Sequence, residues 1–201
     1  MLKKITLFFL WVSVSGFSQC FDEFSLRSSG YHVVSIKSDG TLWGWGYSSF
    51  GQLGNTNMTN PIPFQLSTDT DWHKTFAGVA NAFFIKTNGT LWGIGNSEFG
   101  LLGNGSTTQV NPTLQQIGTA TNWQKISASS DMTIGIKTDG TIWGWGQNDQ
   151  YEMGNNTCCA NQLTPIQIGT ANHWVDVETS LGASVFALKN DGTIWGWGLN
   201  L

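Results

Sequence analysis

The chain carries four near-copies of one eleven-residue segment in which apolar and polar positions follow the same pattern. The copies are IKSDGTLWGWG from Ile36, IKTNGTLWGIG from Ile85, IKTDGTIWGWG from Ile136 and LKNDGTIWGWG from Leu188. Asp-Gly or Asn-Gly at the centre favours a tight turn, because Asp and Asn bond to nearby backbone and Gly accepts a positive φ. The β-branched and aromatic residues on either side favour strands. Each copy therefore predicts a β-hairpin.

The alternation of side chains gives each predicted hairpin two unlike faces. In the first copy, residues 33–37 form the arriving strand and residues 41–45 the departing strand. Successive side chains of a strand point to opposite sides, so the departing strand has a bulky face with the tryptophans and a nearly bare face with the glycines. We expect the indoles of one hairpin to lie against the glycine-rich face of its neighbour, which buries a large aromatic area in every repeat.

Two further landmarks recur with the hairpins, whose start positions are 49, 51 and 52 residues apart. A tryptophan that opens a candidate first strand recurs every 51 residues, at Trp72, Trp123 and Trp174. A glycine-centred element, GQLGN, GLLGN and then YEMGN, follows the first three copies and predicts a turn that closes the outer part of the blade. A period of about fifty residues is the length of one propeller blade. The sequence therefore predicts an all-β fold, a β-propeller of about four blades.

The recurring positions of the motif are interpreted as structural. They are Asp39, Gly40, Trp43, Gly44, Trp45, Gly46, Asn88, Gly89, Trp92, Asp139, Gly140, Trp143, Trp145, Asp191, Gly192, Trp195 and Trp197. Asn88 replaces the turn aspartate in the second copy, which preserves the turn and removes any acid or base. The aspartates are therefore not expected to be catalytic. The lysines that precede them are interpreted as strand-end charges that cover the turn.

The order of the leading tryptophan, the GTLWGWG hairpin and the GQLG element resembles the regulator of chromosome condensation repeat family across residues 24–201. The resemblance implies a seven-bladed β-propeller. Four hairpins, with the sequence ending at Leu201 before a fourth GQLG element, predict an incomplete part of such a ring. A four-bladed ring of the same blades is the alternative, since propellers of four to eight blades exist.

Residues 1–19 have the pattern of a secretory signal peptide. Lys3 and Lys4 are followed by an apolar run from Ile5 to Val14 and by a short stretch of small and polar residues. The apolar run is too short for a transmembrane span. We expect cleavage near Gln19, a propeller array of residues 20–201, and a location outside the cell, at its surface or in the periplasm. A lipid-modified Cys20 is the alternative.

Charge and cysteine content restrict the partners. Without Lys3 and Lys4 the chain keeps seven basic against thirteen acidic residues, so it is a poor candidate for binding nucleic acid. For the same reason we do not expect the nuclear nucleotide-exchange role found among eukaryotic relatives. Cys158 and Cys159 could form a disulfide with each other, or Cys20 could pair with one of them. The sequence does not choose between these pairings.

No other arrangement of residues indicates an enzyme. His32, His73 and His173 occupy unlike positions in their repeats, so they form no zinc set. The sequence contains no complete calcium loop, no phosphate-binding glycine motif and no GxSxG element. We therefore expect no catalytic residue, no cofactor and no metal site.

The leading hypothesis is a non-catalytic secreted module that binds an unknown protein or surface ligand through loops on a rigid scaffold. A secreted β-lactamase inhibitor with a similar propeller binds its target through aromatic residues on one face. Tyr47 is the only aromatic residue that directly follows a WGWG or WGIG segment, and it is a possible partner contact. Phe50 and Phe99 are interpreted as packing residues.

Two alternative functions stay open, and the sequence predicts no oligomeric state. The chain could be a structural adhesin or a component of a surface array. It could also be a carbohydrate-binding propeller, in which exposed tryptophans would stack on sugars. The exposure of Trp72, Trp123 and Trp174 separates the last hypothesis from the others, and we expect these three side chains to be mostly buried.

Overall fold

The computed structural model describes residues 27–29, 31–181 and 183–199, with side chains described from Tyr31 onward. The predicted signal peptide and Cys20 lie outside the described residues. The described part contains fifteen β-strands and one short 3-10 turn, Glu98–Gly100. The strands form four antiparallel sheets, each built from consecutive strands, so the all-β prediction is confirmed.

Each sheet is one blade, with its strands in chain order from the inner to the outer edge. Blade 1 consists of β1 (Arg27–Ser29), β2 (His32–Ile36), β3 (Leu42–Gly46) and β4 (Asn60–Ser67). Blade 2 consists of β5 (Trp72–Ala77), β6 (Asn81–Lys86), β7 (Leu91–Gly95) and β8 (Gln115–Gln116). Blade 3 consists of β9 (Trp123–Ala128), β10 (Met132–Lys137), β11 (Ile142–Gly146) and β12 (Gln162–Gln167). Blade 4 consists of β13 (Trp174–Thr179), β14 (Ser184–Lys189) and β15 (Ile194–Gly198).

The predicted hairpins and first strands are confirmed. In blade 1 the Asp-Gly turn joins β2 to β3, with Ile36 paired to Leu42 beside the turn and His32 paired to Gly46 at the far end. Blades 2, 3 and 4 repeat this register. The three leading tryptophans begin β5, β9 and β13. The GQLG-type elements lie between the third and fourth strands, where the sequence predicts a turn.

The hydrophobic core is divided into three layers, one at each seam between neighbouring blades. At the first seam, Leu42 and Leu53 of blade 1 pack with Trp72, Phe84 and Ile94 of blade 2. The second seam joins blades 2 and 3, and the third joins blades 3 and 4, through equivalent residues. No blade buries its apolar face alone, which is the general condition for stability in a repeat array.

The structure differs from the prediction in which glycines the indoles contact. The bare face of each third strand is covered by side chains of its own blade, since a Cβ atom at Gly44 would lie 2.6 Å from Leu53 Cδ2. The indole of the next blade reaches the GxLG turn instead. Trp145 lies over Gly103, and its Nε1 donates a hydrogen bond to the Leu101 carbonyl at 2.9 Å. The prediction was wrong on this point because a turn side chain folds back over the strand glycine.

Blade 4 leaves its outer face uncovered in the described part of the chain. Ile194 is 74 % exposed and Phe186 is 54 % exposed, whereas the equivalent Ile142 and Ile134 of blade 3 are fully buried beneath blade 4. No fourth strand pairs with β15 among the described residues. The chain therefore forms a four-blade arc in which three seams are complete.

Two further sequence expectations concern this part of the molecule. Cys158 is half-buried and Cys159 is exposed in the loop between β11 and β12, and a link to Cys20 stays a prediction. Within the residues that the structure describes, no helix has the length and apolar character needed to cross a bilayer.

The contact between Trp145 and Gly103 can be tested with a matched pair of variants. Gly103 and Gly105 both have positive φ, at 72° and 81°, but a Cβ at Gly103 would lie 2.9 Å from the Trp145 indole and a Cβ at Gly105 would meet nothing within 4 Å. We expect Gly105→Ala to lower the free energy of unfolding by about 1 kcal/mol, and Gly103→Ala by about 2–4 kcal/mol. Urea denaturation followed by tryptophan fluorescence measures both. Equal losses would contradict the role assigned to this seam.

Candidate functional site

The recurring motif residues form a hydrogen-bonded turn. In blade 1, Asp39 Oδ1 accepts hydrogen bonds from the backbone N–H and the hydroxyl of Thr41. Thr41 Oγ1 in turn accepts the indole N–H of Trp43 at 2.8 Å. One carboxylate oxygen thus fixes the turn, the first residue of the departing strand and the orientation of the first tryptophan.

The same chain of hydrogen bonds occurs in all four hairpins. Asn88 replaces the aspartate in blade 2, and its Oδ1 makes both bonds to Thr90. The bonds from the following threonine hold the pKa of Asp39, Asp139 and Asp191 below the ordinary value for a carboxyl group. The carboxylates are therefore kept ionised as acceptors in a turn, and an amide can replace them.

The lysine that recurs in each hairpin motif lies against tryptophan rings. Lys37 Nζ is 3.3 Å from the centre of the Trp43 ring, and Lys137 Nζ is 3.6 Å from that of Trp143. Lys86 also pairs with Asp69 at 2.7 Å. The prediction that these lysines cover the turn is thus refined, because each ammonium group makes a cation–π contact with an indole. Burial lowers the pKa of Lys137.

The two ends of the blades define two different faces. The tip face carries the Asp-Gly hairpin turns and the connections between blades. The loop face carries the turns between first and second strands and the longer loops between third and fourth strands, because His32 and Gly46 are paired at that end. Residues 47–59, 96–114 and 147–161 are the long loops of the loop face.

Large exposed apolar side chains gather at the loop face. They are Tyr31, Met58, Phe99, Val110, Tyr151, Leu163 and Leu181. Phe99 is 40 % exposed, so its interpretation as a packing residue is wrong, whereas Phe50 is half-buried. Phe99 lies at the tip of the turn, where its side chain is exposed. The alternation of side chains along a strand does not predict exposure at such a tip.

Tyr47 has a partner that the sequence analysis missed. Its backbone N–H donates to the Tyr31 carbonyl at 2.8 Å, and the two ring centres are 6.1 Å apart. Tyr31 is 72 % exposed, whereas Tyr47 is half-buried. Tyr31 directly precedes β2 and Tyr47 directly follows β3, so the hairpin register could have revealed the pair.

Two of the exposed aromatic residues have unusual backbone conformations. Phe99 and Tyr151 have φ angles of 57° and 61°, in the left-handed region that bulky residues rarely adopt. Tyr151 stands at the position of Gly51 and Gly100, whose φ angles are 83° and 85°. A glycine would avoid this strain, and such outliers cluster at functional sites. The altered YEMGN element was the sequence signal for this residue.

A carboxyl group is buried directly beneath this part of the loop face. Glu152 is 1 % exposed, and its Oε2 accepts the Gln150 N–H at 2.7 Å. Burial raises the pKa of Glu152, with a smaller contribution in the same direction from Asp149 and Asp131. Asp149 and Asp131 thus lie close enough to Glu152 for their charges to act on its carboxyl group.

The inner strands line a cavity of about 770 Å³. Lys125 of β9 pairs there with Asp176 and with Glu178 of β13, the latter at 2.8 Å. Lys74 Nζ donates to the Gln124 carbonyl at 2.9 Å. The cations of this cavity are thus engaged by neighbouring strands, and the described residues contain no group of three His, Cys, Asp or Glu suited to a metal ion.

Comparison with known proteins supports the same architecture. Two models described as Regulator of chromosome condensation (RCC1) repeat match the chain, one at residues 39–85 and 139–186, the other at residues 25–52 and 123–152. The chain belongs to this repeat family. The Ultraviolet-B receptor UVR8 of Arabidopsis thaliana is 26 % identical over 183 residues, which cover 83 % of this chain and 39 % of the receptor.

Solved structures match the chain with low sequence identity. Yeast RCC1 (Prp20), solved bound to Kap60, gives a TM-score of 0.77 at 16 % identity and covers 89 % of this chain and 45 % of that chain. Human WBSCR16 gives a TM-score of 0.73 at 15 % identity and covers 84 % and 45 %. These similarities show the β-propeller fold. The chain spans less than half the length of each of these relatives.

The first seam contains a buried polar group at its loop-face end. His32, Gln52 and Asn81 are each at most 1 % exposed. A Cβ at Gly95 would lie 2.8 Å from Asn81 Cα and 3.0 Å from Gln52 Cβ, so the Gln52 side chain lies beside the start of β6. Burial lowers the pKa of His32 to about 4, against a smaller opposing effect of the Asn81 backbone.

This pKa predicts a pH dependence of stability. The unfolded chain takes up a proton near the ordinary histidine pKa of about 6.5, whereas native His32 stays neutral until about pH 4. Stability is therefore complete above pH 6.5 and falls with pH through this window, by about 2 kcal/mol between pH 7 and pH 5. Urea denaturation at both pH values measures the loss. His32→Asn, which copies the equivalent Asn81, should remove this component, and an unchanged pH slope in the variant would contradict the assignment.

Proposed function

We propose that this chain is a non-catalytic, exported recognition module whose loop face binds another protein. The observation that carries the proposal is the gathering of exposed apolar side chains on the loops of a rigid blade array. Large exposed apolar patches are typical of interaction sites, and aromatic residues are enriched in protein interfaces. Phe99 and Tyr151 keep a strained backbone at this surface, which supports a role beyond packing.

The chemistry of the repeated polar residues favours binding over catalysis. The aspartates and the Asn at the hairpin turns are acceptors for threonine and backbone groups. The repeated lysines lie against indoles. These contacts recur in every blade, so they serve the architecture and leave recognition to the loops. The names of two relatives, a receptor and a propeller solved in complex with another protein, are consistent with a protein partner.

The burial of the three leading tryptophans disfavours a carbohydrate-binding propeller. Trp72 and Trp123 are 4 % exposed and Trp174 is 8 % exposed, which confirms the expectation that they are mostly buried. Their indoles make edge-on contacts with the tryptophans of the hairpins. A sugar could therefore not stack on these three rings.

Export is part of the proposal and rests on residues 1–19. Fusion of these residues to alkaline phosphatase in a bacterial reporter strain should give an active, processed enzyme, because the enzyme needs the oxidising compartment. N-terminal sequencing should find Cys20 first. Replacing Lys3 and Lys4 by Glu should reduce export, since the basic start of a signal peptide would be lost. Full activity without the segment would contradict export by this signal.

Recognition is tested by comparing two immobilised double variants with the wild-type chain. Phe99→Ser with Tyr151→Ser removes two rings from the loop face, whereas Thr87→Ala with Thr138→Ala alters exposed residues of the tip face. Extracellular protein from the source organism is the sample. We expect the loop-face variant to retain its partner more than tenfold less well, because central aromatic residues contribute about 2 kcal/mol or more to binding.

The control decides the interpretation. The tip-face variant should retain the partner like the wild type, and both variants should unfold at urea concentrations close to that of the wild type. Equal retention by the wild type and the loop-face variant would contradict binding through this face.

A further inference from the structure

Carboxylates occur on both faces of the arc, whereas the lysines of the described residues are confined to one part of it. All six lysines of the described residues lie at the tip face or on the inner strands. They are Lys37, Lys74, Lys86, Lys125, Lys137 and Lys189. The long loops and strand-connecting turns of the loop face carry the carboxylates of Glu98, Asp131 and Asp149, of which Asp149 is exposed and the other two are half-buried. The described loop face thus carries negative charge without a lysine to balance it.

Acidic and aromatic residues are neighbours on this face in two successive blades. Glu98 directly precedes Phe99 in blade 2, and Asp149 lies two residues before Tyr151 in blade 3. Leu163 of blade 3 packs against the blade 2 turn, since a Cβ at Gly100 would lie 2.8 Å from Leu163 Cα. The Leu163 carbonyl accepts the Gly105 N–H at 2.8 Å, which ties the long loop of blade 2 to β12 of blade 3. Apolar rings and carboxylates therefore lie side by side on the loop face of blades 2 and 3.

The geometry points to a protein partner whose contact surface is positively charged and carries apolar side chains between its basic residues. This inference rests on the proposed function and names the chemistry of the partner. Phe99, Tyr151 and Leu163 supply the apolar contact, and Glu98, Asp131 and Asp149 surround it with negative charge. Lysine or arginine side chains of the partner would reach these carboxylates while their aliphatic stems cover the rings.

Two physical consequences distinguish this partner from a neutral one. Charge complementarity at the edge of an interface mainly accelerates association and selects among partners, and salt weakens it. Binding by the rings alone would instead tolerate high salt. Burial is the main cause of the raised pKa of Glu152, and the charges of Asp149 and Asp131 add to it, which is consistent with negative charge near this surface.

The test uses the full chain with a photoreactive phenylalanine analogue at position 99, and at position 138 on the tip face as a control. The sample is the extracellular protein of the source organism, irradiated at 50 mM and at 500 mM NaCl. Asp131→Asn with Asp149→Asn removes two charges from the loop face. Asp139→Asn with Asp191→Asn removes two charges from the tip face and keeps the turns, since Asn88 makes the same bonds in blade 2.

We expect a partner protein to be cross-linked to position 99, and we expect the partner peptide at the cross-link to be rich in lysine or arginine. The yield should fall at least fivefold at high salt and in Asp131→Asn with Asp149→Asn, and should be unchanged in the tip-face charge variant. A product that resists salt and loop-face neutralisation would overturn the cationic partner and leave recognition by the loop face intact. No product at position 99, with or without one at position 138, would overturn both.

Discussion

The structure depends on one contact between blades. A tryptophan of one blade packs on a turn glycine of the preceding blade and donates a hydrogen bond to a carbonyl of that turn. Trp145 lies over Gly103 and donates to the Leu101 carbonyl, and the Thr133 hydroxyl donates to the same oxygen. Trp197 repeats the arrangement over Gly154, with its N–H on the Glu152 carbonyl at 2.8 Å. Because the anchored turns are those that carry Phe99 and Tyr151, the contact that joins blades also fixes the loops that face solvent. Stability and presentation of the loop face therefore depend on one interaction.

The three seams use this interaction unequally. At the first seam Ile94 stands in place of the second tryptophan, so no indole N–H reaches the turn of blade 1, and His32, Gln52 and Asn81 are buried there instead. The second seam has both the indole bond and the hydroxyl bond to the Leu101 carbonyl. The third keeps the indole but buries the Glu152 carboxyl group.

The tip face and the loop face differ in regularity. On the tip face, the same Asp or Asn, threonine, tryptophan and lysine contacts recur in each hairpin, and this regularity sets the register of the strands. The loop face is irregular, and its side chains differ in each blade. A rigid scaffold with variable loops is the usual arrangement of a binding protein. The aromatic and acidic side chains of the loops differ between blades, and they form the surface that we propose binds a partner.

The sequence by itself determined the hairpins, the leading strands, the blade period and the burial of Trp72, Trp123 and Trp174. These follow from turn chemistry and side-chain alternation, which act between residues close in the chain. Only the tertiary structure decided that the indoles meet turn glycines, that Phe99 points outward and that Tyr31 joins Tyr47. The tertiary structure also placed the lysines of the described residues away from the carboxylates of the loop face. Each of these depends on where the loops of one blade meet the next blade about fifty residues away, and no local pattern specifies such a meeting.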